Sequence, residues 1–318
     1  MDLKYLNLVS MKNLIILISI LISKLAFGQP NPQERYPERI KEITEQLKTD
    51  SLNYGLIWER LVMKVNLAGG LVNSDDIFSL KFDSLSKAKR SVSFDEFNND
   101  FNKIYNSVIK EKKYNIVEEG DFYLNRMWFY ENMLEIDKAI DDAKYLRDSV
   151  SYSRYSERGD YYNNFALYSL FNLYVINKQY EEALKAINTM LDKKEHENPE
   201  VFFAGHGSFL NCTDKITLFE HFQKNEEIIP FIKENCIKHF AFYFQNKESK
   251  DYYVNASKDQ SLYFLKLLVD YMKKYQDKEL AKYDGIYNRL SYKMNENYET
   301  INPNIDDTEL KTIVSEIK

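Results

Sequence analysis

Apolar side chains recur three and four residues apart along most of this chain. Leu56, Ile57, Leu61, Val62 and Val65 keep that spacing, and so do Phe97, Phe101, Ile104, Tyr105 and Ile109. A helix turns once in 3.6 residues, so each set lies on one face that must be buried against something. A half-buried strand needs alternating apolar and polar residues instead, and no convincing run of that kind is found. Turn residues agree: nine Gly and six Pro in 318 residues are few, and sheet-rich chains use both at their many turns. The expected class is all-α, with long helices and short polar loops.

With 44% hydrophobic and 29% charged residues, the chain has enough apolar surface to offset the entropy of ordering. A first helix is expected over Glu38–Lys48. The next follows Asp50-Ser51 and stops at Ala68-Gly69-Gly70. Another should start at Ser74-Asp75-Asp76 and run through Ile77, Leu80, Phe82 and Leu85. Ser93-Phe94-Asp95-Glu96 reads as a capping box, in which Ser and Glu side chains satisfy orphan backbone donors. Asp95, Glu96 and Asp100 then look like a solvated face. Paired helices are expected at 121–134, 136–148, 160–177 and 179–193. Further helices are expected at 214–223, 226–246, 258–275 and 278–295, with a second capping box at Ser257-Lys258-Asp259-Gln260. Thr308–Ile317 closes the chain, with Asp306, Asp307 and Glu309 favouring the dipole at its amino end. Pairs joined by short loops predict stacked antiparallel helical hairpins.

The amino terminus reads as an address. Lys12 precedes an apolar run from Leu14 to Ile22, and Ala26 and Gly28 supply small residues before Gln29. That is the layout of a secretory signal peptide over residues 1–28. The run is short for a membrane span, which needs about 20 apolar residues. Residues 29–37 hold three prolines and read as a linker. One helical-repeat domain over 38–318 is expected, with a possible break near 197–213. Removing residues 1–28 takes the formal charge from −6 to −8. An acidic chain with no denser basic run than Lys110–Lys113 repels phosphate backbones, so no nucleic-acid partner is expected. Cleavage would also leave no membrane span.

Ala166-Leu-Tyr-Ser-Leu-Phe-Asn-Leu-Tyr174 followed by Asn177-Lys-Gln-Tyr180-Glu-Glu-Ala183-Leu-Lys-Ala-Ile187 resembles one tetratricopeptide repeat, a helix–turn–helix unit. Leu167, Leu170 and Tyr174 fall at the large positions of its first helix. Tyr180, the small Ala183 and Ile187 fall at those of the second. Phe171 stands where the family has a small residue, and Pro199 comes later than its closing proline. Tyr123, Tyr130, Ile136, Ala139 and Ala143 sit at equivalent offsets in a second stretch, where Arg126 replaces an apolar residue. Ala139 and Ala183 are 44 residues apart, so about ten residues are inserted. The ending Phe-Gly-Gln of the signal, in a chain rich in Asn, Lys, Ile and Tyr, also resembles exported proteins of the Bacteroidetes group. The resemblance implies an α-solenoid that presents a concave face to a protein or peptide partner.

Val201–Cys212 is the least helix-like stretch of the core, with Gly205 and Gly207 flanking His206. As an active-site loop it would offer His206 as base and Ser208 or Cys212 as nucleophile. No partner carboxylate and no nucleophile signature accompany them, so a structural loop is the simpler reading. His206, Cys212, Cys236 and His239 are zinc-ligand types, with Cys236 and His239 on one helical face, but the gap from His206 to Cys212 is no familiar spacing. No metal and no cofactor are expected. Two Cys in an exported chain suggest a Cys212–Cys236 bridge, closing roughly 24 residues for about 3 kcal/mol. Two buried free thiols are the alternative. Trp58 and Trp128 read as core. No phosphate-binding glycine loop or dinucleotide fingerprint is found.

Three functions stay open. The first is an exported scaffold, periplasmic or extracellular, that binds a protein or peptide, with His206, Ser208, Tyr168 and Tyr174 as candidate binding residues. The second is a carbohydrate- or nutrient-binding helical protein of an uptake system. The third is a hydrolase using the 205–212 loop.

Overall fold

The computed structural model describes residues 35–68, 94–150, 156–197, 199–204, 206–248, 252–295 and 298–317. The expected signal peptide, most of the 29–37 linker and the helix expected after Ser74 lie outside the described residues. The architecture is all-α, built of helices packed as neighbouring pairs with very little sheet. The chain divides into two compact units, with a boundary at Asp142/Ala143.

The first unit holds α1 (Tyr36–Thr49), α2 (Tyr54–Ala68), α3 (Phe94–Ile104), α4 (Glu119–Asn132) and the start of α5 (Ile136–Asp148). Pro37 sits in the first turn of α1, where its missing N–H costs nothing. Asn53, not Asp50 or Ser51, caps α2, its Oδ1 accepting the Leu56 N–H at 3.1 Å. α3 continues as a π-helical turn over Tyr105–Ile109. The core is aromatic. Phe97 stacks on Phe129 with ring centres 4.7 Å apart, and Phe101 meets Phe122 edge-on at 5.8 Å. Trp58, expected as core, is half-buried and stacks on Phe122 at 6.4 Å.

The second unit holds the rest of α5, then α6 (Ser156–Ile176), α7 (Tyr180–Glu197), α8 (Pro199–Ala204) and α9 (His206–His221). A 3-10 turn at Asn225–Glu227 leads into α10 (Ile228–Asn246), followed by α11 (Tyr252–Lys274) and α12 (Leu280–Leu290). A hairpin of β1 (Ser291–Asn295) and β2 (Tyr298–Ile301) precedes α13 (Asp307–Ile317). α6 packs on α7, α7 on α9, α10 on α11 and α11 on α12. Leu167, Leu170, Phe171, Ala183 and Ile187 are all buried, as are Ala139 and Ala143 in α5, while Tyr180 and Ile136 are half-buried.

Five turns are built alike around a left-handed residue that is not glycine: Lys112, Leu134, Lys178, Gln223 and Gln276, with φ from 54° to 60°. At Lys178 the N–H of Gln179 reaches back to Tyr174 O at 2.8 Å and that of Lys178 to Val175 O at 3.1 Å. This doubled closure satisfies helix-end carbonyls and reverses the chain. Leu134, Lys178 and Gln223 are 44 and 45 residues apart, so consecutive hairpins turn at a nearly constant interval.

Three local expectations are corrected. Helix resumes at His206, so 206–212 is the first part of α9 rather than a loop. Ser257 does not cap a helix; it lies inside α11, with its hydroxyl donating to Val254 O at 2.6 Å. Residues 291–295 leave the helix and pair antiparallel with 298–301, Ser291 opposite Ile301. Asp259 on α11 pins that hairpin by accepting from the Thr300 hydroxyl and, at 3.4 Å, from the Ile301 N–H.

Candidate binding surface

Among the residues singled out from the sequence, the described ones do not come together. The side chains of His206 and Ser208 lie outside the described residues. Tyr168 is half-buried, while Tyr174 is 4% exposed and belongs to the core rather than to a binding face. The expected disulfide is absent: Cys212 on α9 and Cys236 on α10 are both free and buried. Each thiol has its own acceptor, Asn235 Oδ1 at 3.7 Å for Cys212 and Ser261 O at 3.5 Å for Cys236. Burial pushes the Cys212 thiol up to about 12 and raises Cys236 as well. A thiol held so far above neutrality is no nucleophile at physiological pH.

His239 shares a helical face with Cys236 but not a partner. Its ring packs 5.0 Å from Phe203 and 4.8 Å from Phe264, and its Nδ1 lies 3.1 Å from Phe203 O. A carbonyl only accepts, so Nδ1 carries the proton there. Burial holds this imidazole down at about 3, and it stays neutral.

The surface that does assemble lies in the second unit, where the turns after α9 and α11 meet. Tyr263, Leu267, Tyr271 and Tyr275 recur every four residues and form one stripe along α11 and its end. Tyr263 is 39% exposed, and Tyr271 and Tyr275 are half-exposed with their rings 6.0 Å apart. Lys274 lies over both rings, at 5.2 and 5.6 Å, and pairs with Glu220 at the end of α9. The Tyr275 hydroxyl donates to Asn225 Oδ1 at 3.2 Å. Past that turn, Phe222 packs at 5.2 Å from Tyr180 and at 5.0 Å from His221, with Lys224 over Tyr180. Beside Tyr275 a depression of about 390 Å³ opens, walled by Ile229 and Pro230 and rimmed by Asn225, Glu226 and Asp277. The result is two half-buried aromatic pairs, Tyr271–Tyr275 and Tyr180–Phe222, with hydrogen-bonding groups at the edge. Burial, with Glu220 nearby, keeps the Tyr271 phenol above its ordinary value, so it stays a donor. Rigid rings with polar rims are good at gripping a partner at low entropic cost.

Sequence reasoning passed over Tyr271 and Tyr275 because tyrosines at helical spacing are read as core. The missed signal was that Leu265, Leu268, Val269 and Met272 already fill the buried face of α11. Compared with known proteins, the chain matches no family model, no curated protein and no solved structure. Among the described residues no helix is long and apolar enough to cross a membrane.

Proposed function

We propose that the chain is an exported scaffold of tetratricopeptide-like hairpins, with an interval of 44–45 residues, that binds a protein or peptide partner. The observation that carries this reading is the two aromatic pairs Tyr271–Tyr275 and Tyr180–Phe222 at the turns of the second unit. Solvent-facing tyrosines beside a shallow depression suit a peptide lying across the turns. Export rests on the amino-terminal pattern from Lys12 to Gln29. The test compares the full chain with a Tyr271→Ala/Tyr275→Ala variant in capture from the cell envelope of its own organism, after circular dichroism shows both folded. A partner held by the first and lost by the second supports the reading. A partner retained equally by both removes this surface from it. Saturable tyrosine quenching by oligosaccharides, without a protein partner, would replace it with nutrient binding.

A further inference from the structure

In the first unit a pocket of about 200 Å³ opens among α1, α2 and α3. Lys48, Arg60 and Lys103 line it with the hydroxyl residues Thr44 and Ser51, and Leu47 and Ile57 form its apolar wall. Among the described residues three cations and no carboxylate line this pocket, in a chain whose formal charge is −6. Each cation stands in a different state. Arg60 is fixed: its Nη2 donates to both Asp100 oxygens, at 2.9 and 2.8 Å, and its Nη1 to Thr44 Oγ1 at 3.3 Å. Its Nε is buried and has no acceptor. Lys48 holds only a solvent-exposed pair with Glu45, which is weak and easily exchanged. Lys103 pairs with no carboxylate among the described residues and is exposed. Among the described residues, with Asp100 and Glu45 counted against Arg60 and Lys48, Lys103 is left as one uncompensated positive charge at the pocket.

We infer that this pocket is an oxyanion site that takes a phosphoryl or sulfuryl group, free or carried on a small organic molecule. Donors approaching from three helices suit a tetrahedral anion better than a carboxylate, which offers two oxygens in one plane. The arginine is pre-organised by Asp100, so little ordering is left to be done on binding. The site is independent of the aromatic pairs, and either reading stands without the other.

The test is calorimetric titration of the full chain at low ionic strength with inorganic phosphate, sulfate, phenyl phosphate and acetate. The wild type is compared with Lys103→Gln and with Ser51→Ala. Both residues are exposed, so both variants keep the fold, whereas Arg60→Gln would strand buried Asp100. Saturable binding of a tetrahedral anion, weakened about tenfold in Lys103→Gln (1.4 kcal/mol) and less in Ser51→Ala, is the expected result. Tighter phenyl phosphate than phosphate assigns a carried group resting on Leu47 and Ile57; equal affinity assigns the free ion. Absence of saturable binding, acetate binding as tightly, or an unchanged Lys103→Gln variant would each overturn the inference.

Discussion

Glu131, near the end of α4, is 1% exposed, and neither carboxylate oxygen has a hydrogen-bond partner. Burial alone raises its pKa from 4.5 to about 8. At neutral pH the folded protein therefore keeps a proton that the unfolded chain gives up. Because the folded pKa is the higher one, folding is unpenalised below pH 4.5 and loses stability as pH rises from there to about 8. Each pH unit within that window costs about 1.4 kcal/mol, or about 3 kcal/mol at pH 7 and about 5 kcal/mol above pH 8. Glu131→Gln cannot ionise and keeps a similar buried polar group. It should match the wild type at pH 4.5 and exceed it by about 3 kcal/mol at pH 7, a large share of a unit's stability. The two tryptophans of the chain, Trp58 and Trp128, both lie in the first unit, so their fluorescence during urea unfolding reports this unit. A difference that does not change between pH 4.5 and pH 8 would refute the reasoning, since only a solvated or partnered carboxylate behaves so.

Lys178 in the left-handed region costs roughly 1–2 kcal/mol, against about 0.5–1 kcal/mol for glycine's extra freedom when unfolded, so Lys178→Gly should stabilise by about 0.5–1 kcal/mol in thermal melts followed by circular dichroism. Asp142→Ala strands the Arg126 guanidinium, which Asp142 holds at 2.7 and 2.8 Å, and should cost about 3–5 kcal/mol in the tryptophan assay. Ala183 is fully buried in α7, so Ala183→Leu should cost about 1–3 kcal/mol by overpacking; an unchanged melting temperature would mean open space there. With two free buried thiols, both Cys212 and Cys236 should label only after unfolding, and a reductant should leave the melting temperature unchanged.

Much of the helical architecture was legible because burial leaves a periodic mark. The helix expected over 136–148 is α5, and the one expected at 308–317 is α13 to within a residue. What was missed has local causes. Non-glycine residues occupy the left-handed turn positions, so the regular hairpin interval carries no Gly signal; Lys178 and Gln223 look like ordinary polar loop residues. The glycines that did look like signals, Gly205 and Gly207, misled, because helices α8 and α9 run on either side of Gly205. The 291–301 hairpin depends on a tether from Asp259 on another helix, which no window of sequence contains. The cysteines were paired by count, whereas their positions depend on which face of α9 and α10 each occupies. Of the two aromatic pairs, only Tyr180 carries a sequence signal, and that signal is its place at a large position of the repeat's second helix.

Asp100 shows most clearly what periodicity cannot see. Beside Asp95 and Glu96 it reads as a solvated acid, yet it is 2% exposed and bidentate to Arg60. Asp142 and Arg126 make the same device in the same unit, again an arginine on one helix held by a buried aspartate on another. The two differ in what surrounds the guanidinium. Arg126 is enclosed by the rings of Phe122 and Tyr123 at 5.0 and 4.9 Å, with Tyr105 and Tyr130 each at 5.8 Å. Its charge is consumed by Asp142 and those ring faces. Arg60 instead meets Thr44 and opens on a pocket shared with two lysines. A buried ion pair by itself is weak ground for stability, since desolvation offsets much of the attraction. Flanked by aromatic faces, the pair at Arg126 is a packing element that fixes how α4 and α5 meet. The Arg60 side chain is no more open, at 11% exposure against 18% for Arg126, but its pair borders a pocket lined by Lys48 and Lys103, and that setting makes one a structural pair and the other part of a receptor for an anion.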